Sequence, residues 1–237
     1  MEKLIYVLWR DPRSEAADFH RRLREEVGPQ LLERGARGLV LNLADEAARG
    51  AAPEFHACVP AMEVFVSVWL DSACRAGRQP FDAVLGSLGG RVASYVVSES
   101  QALLNTRFPA PLGERTPGFV QIAMFRRPPR VAREAWLEIW LESHTQVAMD
   151  AQDTFLYTQN VVGRALGFDS PRYDAIVEEG YPPAAHGDLR AFFDAPGDED
   201  KCLRNQALIG ESCARFIDFD KLDVVQTSQY VLKSVGA

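Results

Sequence analysis

Residues 119–160 read FVQIAMFRRPPRVAREAWLEIWLESHTQVAMDAQDTFLYTQN, and this stretch decides the fold. It opens with an apolar run at 119–125 and passes through a basic, proline-rich turn. A helical pattern follows at 132–149, and a second apolar run occupies 154–162. This order is typical of a strand, a turn, a helix and a second strand.

The helix of this stretch carries the clearest chemical signal in the sequence. Trp136, Trp140 and His144 are spaced four residues apart, so they fall close to one helix face. Carbonyl groups at a helix end favour the imidazolium form, and an ordinary histidine pKa near 6.5 suits either acid or base catalysis. The alternative is a structural histidine that only caps the helix or hydrogen-bonds a neighbouring strand. His144 is therefore the predicted catalytic residue.

Composition narrows the class of protein. The chain has 237 residues, of which 47% are hydrophobic, and this is enough for one large core or two small ones. A net charge of −7 argues against nucleic-acid binding, which needs a basic face. No apolar run approaches the length of a membrane span. The four cysteines form no CxxC pair, and so we expect reduced thiols, a cytoplasmic protein and no metal site.

Around this stretch the chain divides into two similar halves. The predicted N-terminal half spans 1–105, a proline-rich linker spans 106–118, and the C-terminal half spans 119–237. Each half shows the order strand, helix, strand, strand, helix, strand. The predicted strands of the first half lie at 4–9, 38–43, 62–70 and 95–104.

An internal repeat supports this division. With an offset of 117 residues, Arg10 falls on Arg127 and Pro12 on Pro129. Near the end of each half, 96–104 and 224–232 both read VVxxSQxxL. The shared element order makes a chance match a poor explanation.

A βαββαβ unit of this length predicts a ferredoxin-like sheet with both helices on one face. The strand at 62–70 has large apolar residues on both faces, including Phe65 and Val66, so the face without helices must also be buried. We therefore predict an α+β protein whose two antiparallel sheets pack into one intramolecular α/β barrel. Two independent domains are the alternative.

The C-terminal half resembles the EthD-like family of the dimeric α/β-barrel superfamily. The matching features are the MFRRPP segment at 124–129, the helix with Trp136 and Trp140, the ESH segment at 142–144 and the YTQN strand at 157–160. The resemblance covers 119–233. It implies a site between the second sheet and its own helices, near His144.

The first half resembles the family more weakly. It has Glu26-Val-Gly-Pro29 where the family shows His-Gly-Pro, so Val27 occupies the histidine position. The C-terminal half keeps His144 but has Thr145-Gln146 in place of Gly-Pro. We therefore expect a degenerate site in the first half, filled by apolar side chains, and the functional site in the second.

The superfamily includes polyketide cyclases, cofactor-free monooxygenases, some haem enzymes and members without known activity. The resemblance thus implies a cofactor-independent cyclase, lyase or monooxygenase that acts on a hydrophobic, aromatic or polyketide-like molecule. His144 would transfer the proton, and Trp140, Tyr157, Asn160 and Gln121 would bind the substrate. Tyr157 and Asn160 point to opposite faces of their strand, so the pattern does not decide which reaches the site.

Two other functions remain open from the sequence. A non-catalytic barrel that binds or delivers a hydrophobic metabolite would need His144 only for structure. A haem enzyme is a weaker alternative, because histidine can ligate iron. In every case the expected partner is a hydrophobic small molecule, with no nucleic acid and no membrane, and a homodimer is possible.

Overall fold

A computed structural model describes residues 1–167 and 169–235. Nine strands lie in the described part of the chain: β1 (Glu2–Trp9), β2 (Gly38–Leu43), β3 (Phe55–His56), β4 (Val64–Leu70), β5 (Arg91–Leu103), β6 (Phe119–Phe125), β7 (Leu156–Ala165), β8 (Ala175–Tyr181) and β9 (Asp223–Lys233). The α-helices are α1 (Ala16–Arg22), α2 (Gly28–Glu33), α3 (Arg75–Gly86), α4 (Arg133–Leu137), α5 (Thr145–Ala151), α6 (Leu189–Phe192) and α7 (Glu199–Ala214).

Eight of these strands close into one antiparallel barrel. Their order is β2-β4-β1-β5-β7-β8-β6-β9, and pairing of β2 with β9 completes the ring. The short strand β3 pairs with the first two residues of β9. The predicted α+β class and closed barrel are therefore confirmed. The four ring strands before residue 105 (β1, β2, β4 and β5) are contiguous in the barrel, as are the four after residue 118.

The side chains of each strand alternate between the barrel interior and the outer surface, as the pleat requires. The interior holds an apolar core to which both parts of the chain contribute: Ile5, Val7, Phe65, Tyr95, Val120, Ile122, Met124, Val162, Ile176 and Val225. The outer faces pack against the helices in separate clusters, one formed mainly by the first part of the chain together with Tyr230 and one formed mainly by the second. The strands are thus buried on both faces, as their composition predicts.

Two long helical segments contain a π-helical turn. The first joins α1 to α2 at Leu23–Val27, and the second joins α4 to α5 at Glu138–His144. Such turns insert an extra residue, change which side chains face the sheet, and often occur at functional sites. In the first segment, Phe19, Leu23 and Val27 are buried in an apolar core.

No helix within the described residues is both long enough and apolar enough to cross a membrane.

Candidate functional site

A cavity of about 300 Å³ lies between the outer face of strands β6 to β9 and the helices that cover them. Its volume is near the lower end of the range for small-molecule sites. The wall is mostly apolar and includes Ala123, Phe125, Val177, Phe192, Phe193, Ile209, Phe216, Ile217, Leu222 and Val224. The resemblance implied a site between the second sheet and its helices, near His144, and the cavity lies in that position.

Three polar side chains cross the floor of the cavity in one row. Glu179 on β8 pairs directly with Gln121 on β6 and with Tyr157 on β7, so all three point to the same face. Gln121 Nε2 donates a 2.7 Å hydrogen bond to Glu179 Oε2, and the Tyr181 hydroxyl donates a second at 3.1 Å. The row places a carboxyl group at the centre of an apolar cavity.

The carboxyl of Glu179 is strongly perturbed by this setting. The residue is only 7% exposed, and its hydrogen-bond partners Tyr181, Gln121 and Tyr157 are all uncharged. Burial raises the pKa of Glu179, and the hydrogen bonds from Tyr181, Gln121 and Tyr157 offset only part of that effect. Burial and the nearby carboxyl together raise the pKa of Tyr157 well above its usual range, so its hydroxyl stays protonated.

His144 also lines the cavity, but its environment differs from the sequence prediction. The chain remains helical through α5 to Ala151, so His144 does not meet free carbonyls at a helix end. Its Nδ1 lies 2.9 Å from Ser212 Oγ, and its ring packs on Phe216 with 4.6 Å between ring centres. Burial, and secondly Arg215, lower the pKa of His144 to about 4. The imidazole is therefore neutral at pH 7.

This shift makes a contribution to stability that depends on pH. The pKa of His144 falls from 6.5 to about 4 on folding, so the unfolded chain binds a proton that the folded chain does not. The stabilisation is complete above pH 6.5 and is lost as the pH falls towards 4. Between pH 7 and pH 4, protonation of His144 in the unfolded chain should lower the free energy of unfolding of the wild type by about 3 kcal/mol. His144→Gln cannot titrate and should lack this loss, so the difference in stability between the two proteins should change by the same amount. Urea unfolding at both pH values measures this, with the exposed His186→Gln as control; equal differences at both pH values would contradict it.

The two tryptophans of the helix stripe have different roles. Trp136 is fully buried, and its Nε1 donates a 3.0 Å hydrogen bond to the Phe216 carbonyl, so it belongs to the core. Trp140 is also fully buried, but it lines the cavity. Its Nε1 finds no hydrogen-bond partner of good geometry among residues 1–167 and 169–235, although it lies close enough to the Tyr157 hydroxyl to lower the pKa of that group slightly against the effect of burial. A buried donor without a partner in a cavity is suited to an oxygen atom of a ligand.

Three solved structures share this architecture. The first is the crystal structure of an anthrone oxidase-like protein, with 12% identity, a TM-score of 0.56 and coverage of 100% of this chain and 96% of that chain. The second is a putative monooxygenase from Lactobacillus acidophilus NCFM, with 9% identity, a TM-score of 0.52 and coverage of 98% and 95%. The third is a putative monooxygenase from Fusobacterium nucleatum, with 12% identity, a TM-score of 0.51 and coverage of 98% and 92%.

These three structures share the closed α/β-barrel fold of this chain. No protein-family model matches the sequence, and no curated protein gives a significant match. At these identities the likeness establishes the fold alone.

Within this α/β barrel, the structure brings four predicted site residues to one cavity and places the fifth elsewhere. His144, Trp140, Tyr157 and Gln121 all line the cavity. Asn160 points into the barrel interior, where its Nδ2 donates to the Ile176 carbonyl and to Glu178. Asn160 therefore does not line the cavity that the other four share, because the pleat of β7 turns it away from Tyr157.

Glu179 was missed by the sequence prediction, although a signal was present. The segment 175–181 reads AIVEEGY, which places two adjacent acidic residues in an otherwise apolar strand. Adjacent residues of a strand face opposite sides, so one glutamate had to enter the barrel and the other had to face the helices. Glu178 enters the barrel and pairs with Lys3 at 2.8 Å, whereas Glu179 faces the cavity.

The side chains that line the cavity do not suit a metal or haem. Within the described ranges, no cluster of three or more His, Cys, Asp or Glu side chains could hold a metal ion. A haem iron would need an open nitrogen of His144. Its Nδ1 is engaged by Ser212, and its Nε2 faces Cys213 Sγ at 4.0 Å. This arrangement leaves neither nitrogen directed at an open ligand position.

Proposed function

We propose that this chain is a cofactor-independent enzyme of the oxidase or monooxygenase type that acts on a hydrophobic, aromatic or polyketide-like ketone. The observation that carries the proposal is the buried carboxyl of Glu179, with its raised pKa, in an apolar cavity beside a neutral histidine. A base works best when its pKa is close to the working pH, and burial moves Glu179 in that direction. The anthrone oxidase-like and monooxygenase-like neighbours support the same class of chemistry.

The first step is removal of a proton from a CH₂ group that lies between aromatic rings and is conjugated to a carbonyl. Glu179 takes the proton, and the electron pair of the C–H bond spreads onto the carbonyl oxygen. The N–H of Trp140, which lacks a partner of good geometry, and the protonated hydroxyl of Tyr157, which contacts Glu179 in the free protein, are the donors proposed for that oxygen. His144 contributes a neutral imidazole to the cavity wall, and its pKa of about 4 keeps it from competing with Glu179 for the proton.

The second step consumes molecular oxygen as co-substrate. The carbanion transfers its electrons to O₂ in single-electron steps, and a carbon–oxygen bond forms to give a peroxide. The peroxide takes up the proton held by Glu179. Loss of the second C–H proton then breaks the O–O bond, so one oxygen atom stays in a new carbonyl and the other leaves as water. The mostly apolar wall limits water around the carbanion.

The proposal extends to the organisation of the chain. We propose that residues 1–105 and 119–237 are tandem ferredoxin-like halves joined by 106–118, and that the second is EthD-like. The supporting fact is the strand order, since β2-β4-β1-β5 and β7-β8-β6-β9 each place the first strand of the half beside its third and fourth. The apolar burial of Val27 supports a degenerate first half. Cytoplasmic residence and homodimer formation stay predictions.

The test uses anthrone as a probe substrate, because it carries the required CH₂ and ketone groups. Purified protein is mixed with anthrone in air-saturated and in oxygen-free buffer, and oxygen uptake and quinone formation are followed together. We expect one O₂ consumed per quinone formed, and no turnover without oxygen. Equal rates with and without protein, or product formation without oxygen, would contradict the oxidase proposal.

The second candidate is a non-catalytic carrier of hydrophobic metabolites. The contact of His144 with Ser212 favours it, because a histidine held by a neighbouring helix can be purely structural. Tight binding of anthrone without turnover would support this function. The absorption spectrum of the purified protein tests the haem alternative, since a Soret band would support haem.

A further inference from the structure

A short segment of the first half covers the cavity that belongs to the second half. Pro53 and Phe55 line the cavity, although every strand of its floor lies after residue 118. Phe55 and His56 form the two-residue strand β3 and pair with Val224 and Asp223 of β9. We call residues 53–56 the covering segment.

One glutamine, Gln226, hydrogen-bonds both the covering segment and Gln121 on the floor of the cavity. Gln226 Nε2 donates hydrogen bonds to the Pro53 carbonyl at 3.1 Å and to Gln121 Oε1 at 3.0 Å. Its backbone N–H donates to Glu54 Oε1 at 2.9 Å. Because Gln226 gives a hydrogen to Gln121 Oε1, the amide of Gln121 must direct its NH₂ group at Glu179. Gln226 therefore connects the covering segment to the buried carboxyl.

The mouth of the cavity is marked by exposed apolar side chains. Phe55, Leu189 and Phe219 all line the cavity, yet they are 51%, 43% and 50% exposed. Single exposed apolar residues are common, but three that border one cavity indicate a surface that a ligand covers. Of these three residues at the mouth, Phe55 is the one that belongs to the first half of the chain.

We infer that the first half of the chain selects the ligand of the second-half site, with Phe55 as the specificity-determining residue and Gln226 as a positioning residue for Glu179. The ligand class rests on the proposed function, whereas the covering segment and its hydrogen bonds do not. Phe55 limits how far a flat ligand can extend towards the mouth. Gln226 holds the amide of Gln121 so that its hydrogen bond to Glu179 persists.

The first test compares binding of flat aromatic ketones of increasing length. Titrations of tryptophan fluorescence with 1-tetralone, anthrone and benzanthrone, which have two, three and four rings, give dissociation constants for wild type, Phe55→Ala and Val59→Ala. Val59 is 83% exposed on the same connection and does not line the cavity. We expect Phe55→Ala alone to shift the anthrone-to-benzanthrone affinity ratio by about threefold or more in favour of the longer ligand. An unchanged ratio would overturn the role of Phe55.

The second test measures the carboxyl of Glu179 without relying on turnover. The infrared carbonyl band of the protonated side chain, identified by its loss in Glu179→Gln, is followed against pH in wild type, Gln226→Met and Gln206→Met. Gln206 also lines the cavity and serves as the control. The hydrogen bond from Gln121 lowers the pKa of Glu179, so its loss in Gln226→Met should raise the midpoint by about half a unit or more.

The outcomes separate this inference from the proposed reaction. A purely structural role for Gln226 would lower the stability of Gln226→Met and leave the midpoint unchanged, which would overturn the positioning role. Ketone binding with the expected ratio change but no turnover would refute the reaction and leave the specificity role intact. Failure of every ketone to bind the wild-type chain would overturn both.

Discussion

Glu179→Gln should lower the turnover of anthrone by about 10²–10⁴-fold, which is the usual contribution of a positioned general base. Glutamine keeps the shape of the side chain and its contacts with Gln121 and Tyr181, but it cannot accept a proton. The fold and the binding of anthrone should therefore change little. Initial rates and dissociation constants for the wild type, Glu179→Gln and the exposed Glu211→Gln on α7 measure the effect.

The pH dependence of the wild-type rate identifies the base independently. A base acts in its deprotonated form, so the rate rises with pH through its pKa. The pKa of Glu179 lies above its ordinary value of 4.5, whereas that of His144 lies at about 4. We expect the rate to rise with a midpoint above 4.5. A midpoint at about 4 that disappears in His144→Gln would instead assign the proton transfer to His144.

The second prediction with a large effect concerns stability and the buried ion pairs of Lys3 inside the barrel. Lys3 is 4% exposed, and its Nζ contacts Glu99 at 2.9 Å and Glu178 at 2.8 Å. Removing one partner of such a pair leaves a buried charge without compensation. We expect Lys3→Met to lower the free energy of unfolding by about 3–5 kcal/mol. Urea denaturation followed by circular dichroism measures this loss.

Two comparison variants separate charge from packing. Lys201 pairs with Asp194 at 2.9 Å on the surface, so Lys201→Met should cost no more than about 1 kcal/mol. Lys3→Met leaves two carboxylates without their cation, Glu178 and the less buried Glu99. Adding Glu178→Gln removes the more buried of these two charges and should recover a large part of the lost stability. If the double variant is as unstable as the sum of the single variants, the loss comes from packing and the buried-charge explanation fails.

The sequence by itself determined the elements and the class of the fold. The strand-helix-strand order of 119–160, the stripe of Trp136, Trp140 and His144 and the double burial of the strands depend on residues close together in the chain. Local periodicity of 3.6 or 2 residues is enough to show which faces are apolar. A sheet that is apolar on both sides must be covered on both sides, and this requirement leads to the closed barrel.

Only the tertiary structure decided which polar residues form the site. The register of β6, β7 and β8 sets Gln121, Tyr157 and Glu179 side by side, and it turns Asn160 into the barrel. Burial by residues distant in sequence, rather than the position of His144 in its helix, fixes the pKa of that histidine. The covering segment 53–56 reaches the cavity only because the barrel brings β9 beside it. Register, desolvation and contacts between distant segments depend on how the whole chain packs, so no local pattern in the sequence reveals them.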